Sequence, residues 1–166
     1  LAGNLSNEDF ARQLGPFALV RRPPDPVLEQ VSMRLGAQRT RLSRASADSK
    51  ILMAELLQQF DDLEVATLPP IQGSEELQIG RLPDNDLVID DPSVSKRHAV
   101  LRWDNLARRC VVTDLGSRNG TMINAEYIRD PNTLLGDGDV LSFGDAEFCF
   151  LETASLLAML HTAGNY

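Results

Sequence analysis

The spacing of hydrophobic positions changes character along this chain, and each change marks a different kind of element. From Val27 to about Leu63 there is one glycine and no proline. Leu28, Val31, Leu35, Leu42, Ala45, Leu52, Leu56 and Leu63 fall on one 3-4 register, with Gln38, Ser49 and Gln59 as polar interruptions. That spacing predicts one long helix, or two joined near Ser43 to Ser49. Before it, Arg21-Arg22-Pro23-Pro24-Asp25-Pro26 cannot be helical throughout, and Ser6 to Leu14 is at best a short helix capped by Ser6 or Asn7. Residues 1–64 therefore read as a separate, loosely attached extension, mainly helical over 26–64 after a proline-rich linker.

After Thr67-Leu68-Pro69-Pro70 the pattern becomes short β-rich runs: Glu76 to Ile79, Leu87 to Ile89, Ala99 to Trp103, Cys110 to Thr113, Thr121 to Ile123, Val140 to Phe143 and Glu147 to Leu151. Tight reversals separate them, at Pro83-Asp84-Asn85-Asp86, Gly116-Ser117-Arg118-Asn119-Gly120 and Gly136-Asp137-Gly138-Asp139. Many short strands at close spacing predict an all-β sandwich of antiparallel strands over 65–153. Leu68-Pro69-Pro70-Ile71 is a poor first strand, which leaves the domain's start between Leu63 and Ile71. Thr153 to His161 predicts a short helix that opens a C-terminal segment, 154–166.

Composition narrows the class. With 166 residues, 43% hydrophobic and 24% charged, the chain can bury one ordinary core with an extension. The longest apolar run, Leu156 to Leu160, is far short of a membrane span, and no secretory signal opens the sequence, which starts at Leu1 and reads as a fragment. Cys110 and Cys149 lie in strand-like runs and suit buried reduced thiols in an intracellular, cytoplasmic protein. The net charge of −8 argues against nucleic acid as a partner. It is also uneven: residues 1–65 hold eight basic and nine acidic side chains, and residues 66–166 hold eight and fifteen. Only Lys50 and Lys96 are lysines, a bias that GC-rich bacterial genomes produce.

Against that acidic background, the loops of the expected sandwich concentrate Arg81, Lys96, Arg97 and Arg118 beside small hydroxyl residues and glycine turns. Guanidinium groups match phosphate oxygens bidentately, and hydroxyls and turn N–H groups add neutral donors, so the set suits a compact dianion. The segments are Ile79-Gly80-Arg81, Ser93-Val94-Ser95-Lys96-Arg97-His98 and Asp114-Leu115-Gly116-Ser117-Arg118-Asn119-Gly120-Thr121. From about Leu77 to Phe150 this order and spacing resembles the forkhead-associated (FHA) domain, an FHA/SMAD-like β-sandwich that reads phosphothreonine in partner proteins. Asn85-Asp86-Leu87-Val88-Ile89 and Gly138-Asp139 belong to the same resemblance.

The resemblance implies roles for individual residues. Arg81, Ser95, Lys96 and Arg118 would bind the phosphate. Asn119 would bind the peptide backbone, with Ser93 and Arg97 where flanking side chains are sensed. Gly80, His98, Asp114, Gly120 and Thr121 would shape the loops, His98 as a brace. The implied partners are a phosphothreonine-containing protein and an upstream Ser/Thr kinase, with no membrane, cofactor or metal. One departure from the pattern is Asn124-Ala125, where a second Asn-Gly is common.

The same residues admit other readings. Ser95, His98 and Asp114 have the residue types of a hydrolytic triad but no nucleophile elbow, and triads are defined by geometry. Asp84, Asp86, Asp90 and Asp91 lack an EF-hand spacing. Trp103, Phe143, Phe148 and Phe150 read as core, and Arg34, Arg39, Arg41, Arg44 and Lys50 as a solvated helix face. The competing function is a phosphate-independent interaction scaffold whose main contact is the helical segment. For 26–64 three options stay open: a coiled-coil homodimer, helices packed on their own sandwich, or a phosphorylated tail, with Thr40 and Thr67 as candidates, occupying the site.

Overall fold

The computed structural model describes residues 7–22, 50, 54, 65–67 and 76–163. Among these residues, eleven strands form two sheets. The chain runs through helix α1 (Asn7–Leu14), β1 (Phe17–Arg21), β2 (Val65–Thr67), β3 (Glu76–Gly80), β4 (Leu87–Val88), β5 (Ala99–Asp104) and β6 (Arg109–Asp114). It continues through β7 (Thr121–Ile123), β8 (Glu126–Tyr127), β9 (Thr133–Leu135), β10 (Val140–Phe143), β11 (Ala146–Glu152) and helix α2 (Thr153–Ala163). One sheet has the order β2-β1-β11-β10-β7-β8, the other β4-β3-β5-β6-β9.

Between the sheets, alternate residues of facing strands fill the core. Leu77 and Ile79 of β3, Ala99, Leu101 and Trp103 of β5, and Cys110 and Val112 of β6 meet Leu141 and Phe143 of β10 and Phe148 and Phe150 of β11. The period-2 pattern is thus the signature of one buried and one wet face in the five-stranded sheet. Trp103 and the three phenylalanines are core residues, as their spacing suggested. Both cysteines are free and buried, and burial pushes each thiol up to about 12.

The larger sheet departs from that simple pattern because it is covered on both sides. Phe17 and Leu19 of β1 point into the core, while Ala18 and Val20, with Cys149 and Leu151 of β11, form a second apolar layer beneath Leu156 and Leu157 of α2 and Leu14 of α1. Two-sided burial explains why Phe17-Ala18-Leu19-Val20 and Phe148-Cys149-Phe150-Leu151 read as continuous apolar runs. Helix α2 is fixed where it starts: the Thr153 N–H donates to the Pro16 carbonyl at 3.1 Å, and the Glu152 N–H to the Asp137 carboxylate at 2.9 Å. Among the described residues no helix is long and apolar enough to cross a membrane.

Here the expectation of a loosely attached N-terminal segment is corrected. Residues 17–21 are a central strand, paired with β11 from Phe17 opposite Glu152 to Arg21 opposite Phe148, and with β2 from Ala18 opposite Thr67 to Val20 opposite Val65. The sandwich therefore begins at Phe17, ahead of the expected boundary between Leu63 and Ile71, because burying four consecutive apolar residues outweighs the distance in sequence. The expected helix over 26–64 and the doubtful strand at Leu68 to Ile71 lie outside the described residues, apart from Lys50 and Ala54, which are helical. Lys50 forms an ion pair with Asp137. The strands are antiparallel except for β3 with β4, where Ile79 lies opposite Leu87 in a short parallel pair.

Candidate functional site

Three loops gather at one end of the sandwich: 81–86 after β3, 89–98 before β5, and 115–120 after β6, with the β10–β11 turn beside them. They are held together by hydrogen bonds between loops. At the end of β3, a Cβ on Gly80 would lie 2.3 Å from the Lys96 carbonyl oxygen, so only glycine allows the two segments to approach. The approach lets the Arg81 N–H donate to the Ser95 carbonyl at 3.0 Å and the Leu82 N–H to the Lys96 carbonyl at 3.2 Å. Buried Asn85 closes the clamp: its Nδ2 donates to the carbonyls of Leu82 at 2.8 Å and Lys96 at 2.9 Å. Arg81 Nε donates to the Val94 carbonyl at 3.2 Å, which anchors the side chain and leaves the terminal guanidinium nitrogens for a ligand.

His98 sits beneath these loops with 0% exposure, its ring edge-on to Phe143. The Ser95 N–H points at Nδ1 at 3.1 Å, so Nδ1 accepts and the proton is on Nε2, which donates to the Gly120 carbonyl at 3.0 Å. One neutral imidazole thereby ties the Ser95 loop to the Asn119-Gly120 turn. Burial holds its pKa below the ordinary histidine value, outweighing the Gly120 carbonyl and Asp114, which favour the charged form. Asp114 Oδ2, 4.0 Å away, therefore faces a neutral ring rather than an ion partner.

Asp114 organises the third loop. Its Oδ1 accepts the Ser117 N–H at 2.8 Å, and its Oδ2 accepts the hydroxyls of Ser117 at 2.6 Å and Thr121 at 2.7 Å. Burial alone would raise its pKa, but these bonds hold the carboxyl below its usual range. The turn ends at Gly120, whose φ of +78° is a left-handed conformation and whose missing side chain leaves room for the Tyr127 ring.

The expected phosphate ligands come together. The Arg118 N–H donates to Ser95 Oγ at 2.9 Å, so the Ser95 hydroxyl proton is left to give to a bound anion. Arg81, Lys96 and Arg118 are all exposed around it. Asn119 Nδ2 donates to the Ser93 carbonyl at 2.7 Å, which joins the two residues expected to face the peptide. Arg97, expected with them, pairs instead with Asp84 of the first loop at 2.9 Å. The triad arrangement is not formed, because both ring nitrogens of His98 serve the backbone and neither reaches Ser95 Oγ.

Three supporting residues were not singled out as site residues from the sequence. Ser117 and Asp91 have local signals, an acceptor and a donor two or three positions apart that make side-chain turns. Asn85 has a turn signal of the same kind in its bond to the Leu82 carbonyl, but nothing local marks its second bond, to the Lys96 carbonyl.

Comparison with known proteins agrees with this architecture. The family model for the FHA domain matches residues 77–144. The chain is 34% identical over 115 residues to the glycogen accumulation regulator GarA of Mycobacterium tuberculosis, covering 66% of this chain and 68% of that protein. It is 42% identical over 81 residues to the transcriptional regulatory protein EmbR of the same species, covering 49% of this chain and 20% of that protein. The yeast Dun1 FHA domain, solved in complex with a doubly phosphorylated (pT) peptide derived from Rad53 SCD1, shares the fold with a TM-score of 0.52 at 18% identity, over 84% of this chain and 76% of that one.

Proposed function

This chain belongs to the forkhead-associated domain family, and from that premise we propose that it is a phosphothreonine-dependent protein-binding module, placed downstream of a Ser/Thr kinase in signalling or regulated assembly. The observation that carries the reading is the cluster of Arg81, Ser95, Lys96 and Arg118 on loops fixed by a buried neutral histidine, with Asn119 next to it. Guanidinium, ammonium, hydroxyl and backbone donors converge where a tetrahedral dianion can use them, and rigid loops spare the protein the entropy of ordering them on binding. In this reading Arg81, Ser95, Lys96 and Arg118 hold the phosphate. The Asn119 carboxamide oxygen, not engaged in the Ser93 bond, accepts from the peptide backbone. His98, Asp114, Gly80, Gly120 and Thr121 keep the donors in place, and no bond is made or broken.

The setting we propose is cytoplasmic, with a phosphorylated protein as partner and the 26–64 segment as a second contact or a homodimer interface. The test is titration of the full chain with phosphothreonine peptides and their unphosphorylated twins. A short peptide making a few strong contacts is expected to bind at about micromolar Kd only when phosphorylated. Equal binding of both forms would transfer the function to the phosphate-independent scaffold.

A further inference from the structure

The β7–β8 hairpin leaves an aromatic ring beside the site. Met122 of β7 lies opposite Tyr127 of β8, and the Ile128 N–H donates to the Thr121 carbonyl at 3.0 Å, so the backbone around Tyr127 is fixed against the end of the third loop. From there the side chain reaches onto Gly120. A Cβ at that glycine would lie 2.7 Å from Tyr127 Cε1 and 2.8 Å from Cδ1, so the ring fills the space that a side chain at 120 would take.

Gly120 is a firm base for the ring. Its carbonyl accepts from His98 Nε2 at 3.0 Å and from the Gly144 N–H at 3.4 Å. The ring is nonetheless 62% exposed. Among the described residues β8 is the outermost strand of its sheet, so no further strand covers that flank. An exposed aromatic by itself is ordinary on a protein surface. This one rests on a glycine pinned by the same histidine that braces the Ser95 loop, and the residue before that glycine is Asn119, which is exposed at the site.

We infer that Tyr127 is a specificity-determining contact of the peptide site, its ring receiving an apolar side chain that neighbours the phosphothreonine in the ligand. The inference rests on the phosphopeptide reading above. An extended peptide held at Asn119 advances about 3.3 Å per residue, so a side chain one or two residues from the held group comes to the ring. Tyrosine presents a wide apolar face with only two torsions to freeze, and packing on it costs little entropy. The exposed charges nearest in sequence, Arg118, Glu126, Arg129 and Asp130, are two of each sign, so net charge does not discriminate there and apolar area does. The ligand is thus a phosphothreonine segment with an aliphatic neighbour.

The experiment titrates the full chain with two phosphothreonine peptides, one with leucine at the two positions on each side of the phosphothreonine and one with alanine there, and with free O-phosphothreonine. The wild-type chain is expected to bind the leucine peptide about three- to tenfold tighter than the alanine one. That ratio is expected to fall to near one in Tyr127→Ser and to be kept in Tyr127→Phe. The Tyr127 ring resonances are expected to move with the leucine peptide and to stay in place with free O-phosphothreonine. A wild-type ratio near one, a ratio that survives in Tyr127→Ser, or unmoved ring resonances would overturn the inference. So would a loss of free O-phosphothreonine binding in Tyr127→Ser as large as that of the leucine peptide, since the ring would then only prop the turn. Should Tyr127→Ser not fold, the ring resonances of the wild-type chain decide. Equal binding of the leucine peptide with and without its phosphate would sink the functional reading and the inference with it, whereas intact phosphate dependence with a ratio indifferent to Tyr127→Ser sinks the inference alone.

Discussion

A single neutral imidazole and a single guanidinium do different work in this site, and substitution separates them. Arg81 is exposed and held by one bond to the Val94 carbonyl, so Arg81→Ala should leave the fold intact while costing about 2–5 kcal/mol of phosphopeptide binding. Calorimetric titration beside a thermal melt checks it; normal binding by Arg81→Ala removes the proposed site. His98→Ala should lose on both counts, about 2–4 kcal/mol of stability among them, since it opens a cavity and strips partners from the Ser95 N–H and the Gly120 carbonyl. A third residue makes a local point. Asn124 and Ala125 have φ of 50° and 66°, the left-handed pair of a two-residue hairpin turn between β7 and β8. The alanine carries strain that glycine would not, so Ala125→Gly should stabilise the chain by about 1 kcal/mol, read as a higher urea midpoint, despite glycine's greater freedom when unfolded.

At the scale of elements, the apolar runs set between tight reversals were legible, including β10 and β11, which have no wet face, while β1, β2, β8 and β9 were not. Leu77, Ile79, Ala99, Leu101 and Trp103 alternate with exposed or half-buried positions, which is what a period-2 reading detects. Strands β2, β8 and β9 have only two or three residues each, too few to establish a period. Strand β1 escaped because it stands apart from the β-rich run that starts near residue 76 and pairs with residues more than 120 positions away. It follows that a chain starting near Leu63 loses Phe17 and Leu19 from the core and exposes β11 as an unpaired edge. Such a chain should fail to give a cooperative melt or should precipitate, and in the full chain Leu19→Ala should cost about 2–5 kcal/mol. A truncated protein that melts cooperatively within a few degrees of the full chain would show that β1 is dispensable.

For the whole molecule, pH acts through the buried histidine and the two hydrogen-bonded aspartates. His98 has a depressed pKa in the folded state, so below its unfolded value of about 6.5 the unfolded chain takes up the proton first, and stability falls with acidity by at most about 1.4 kcal/mol per pH unit from this group. Asp91 and Asp114 are also depressed, so their contribution is present above their unfolded value near 3.8 and is lost as pH falls further. Urea unfolding between pH 8 and 3 should therefore show a shallow loss beginning near 6.5 and a steeper one below 4. In a His98→Gln chain the first of these should vanish. Peptide affinity should also weaken as pH falls through about 6, where the phosphate loses its second charge. Replacing the phosphate by a phosphonate of different acidity should move that midpoint; a midpoint that stays put would place the titrating group on the protein.

What the sequence determined by itself was everything written in local order: the turns, the one-face strands, and the loop segments around Gly80, Ser95 and Asn119, whose residue types already point to an anion. Short-range geometry decides these, so spacing along the chain is enough to read them. Tertiary structure alone decided that Phe17–Arg21 lies between β2 and β11, that Asn85 reaches Lys96, and that Nε2 of His98 meets the Gly120 carbonyl. Each of these depends on burying apolar surface or satisfying a buried polar group with residues remote in the chain. That requirement selects partners by position in space, and a linear sequence carries no mark of it.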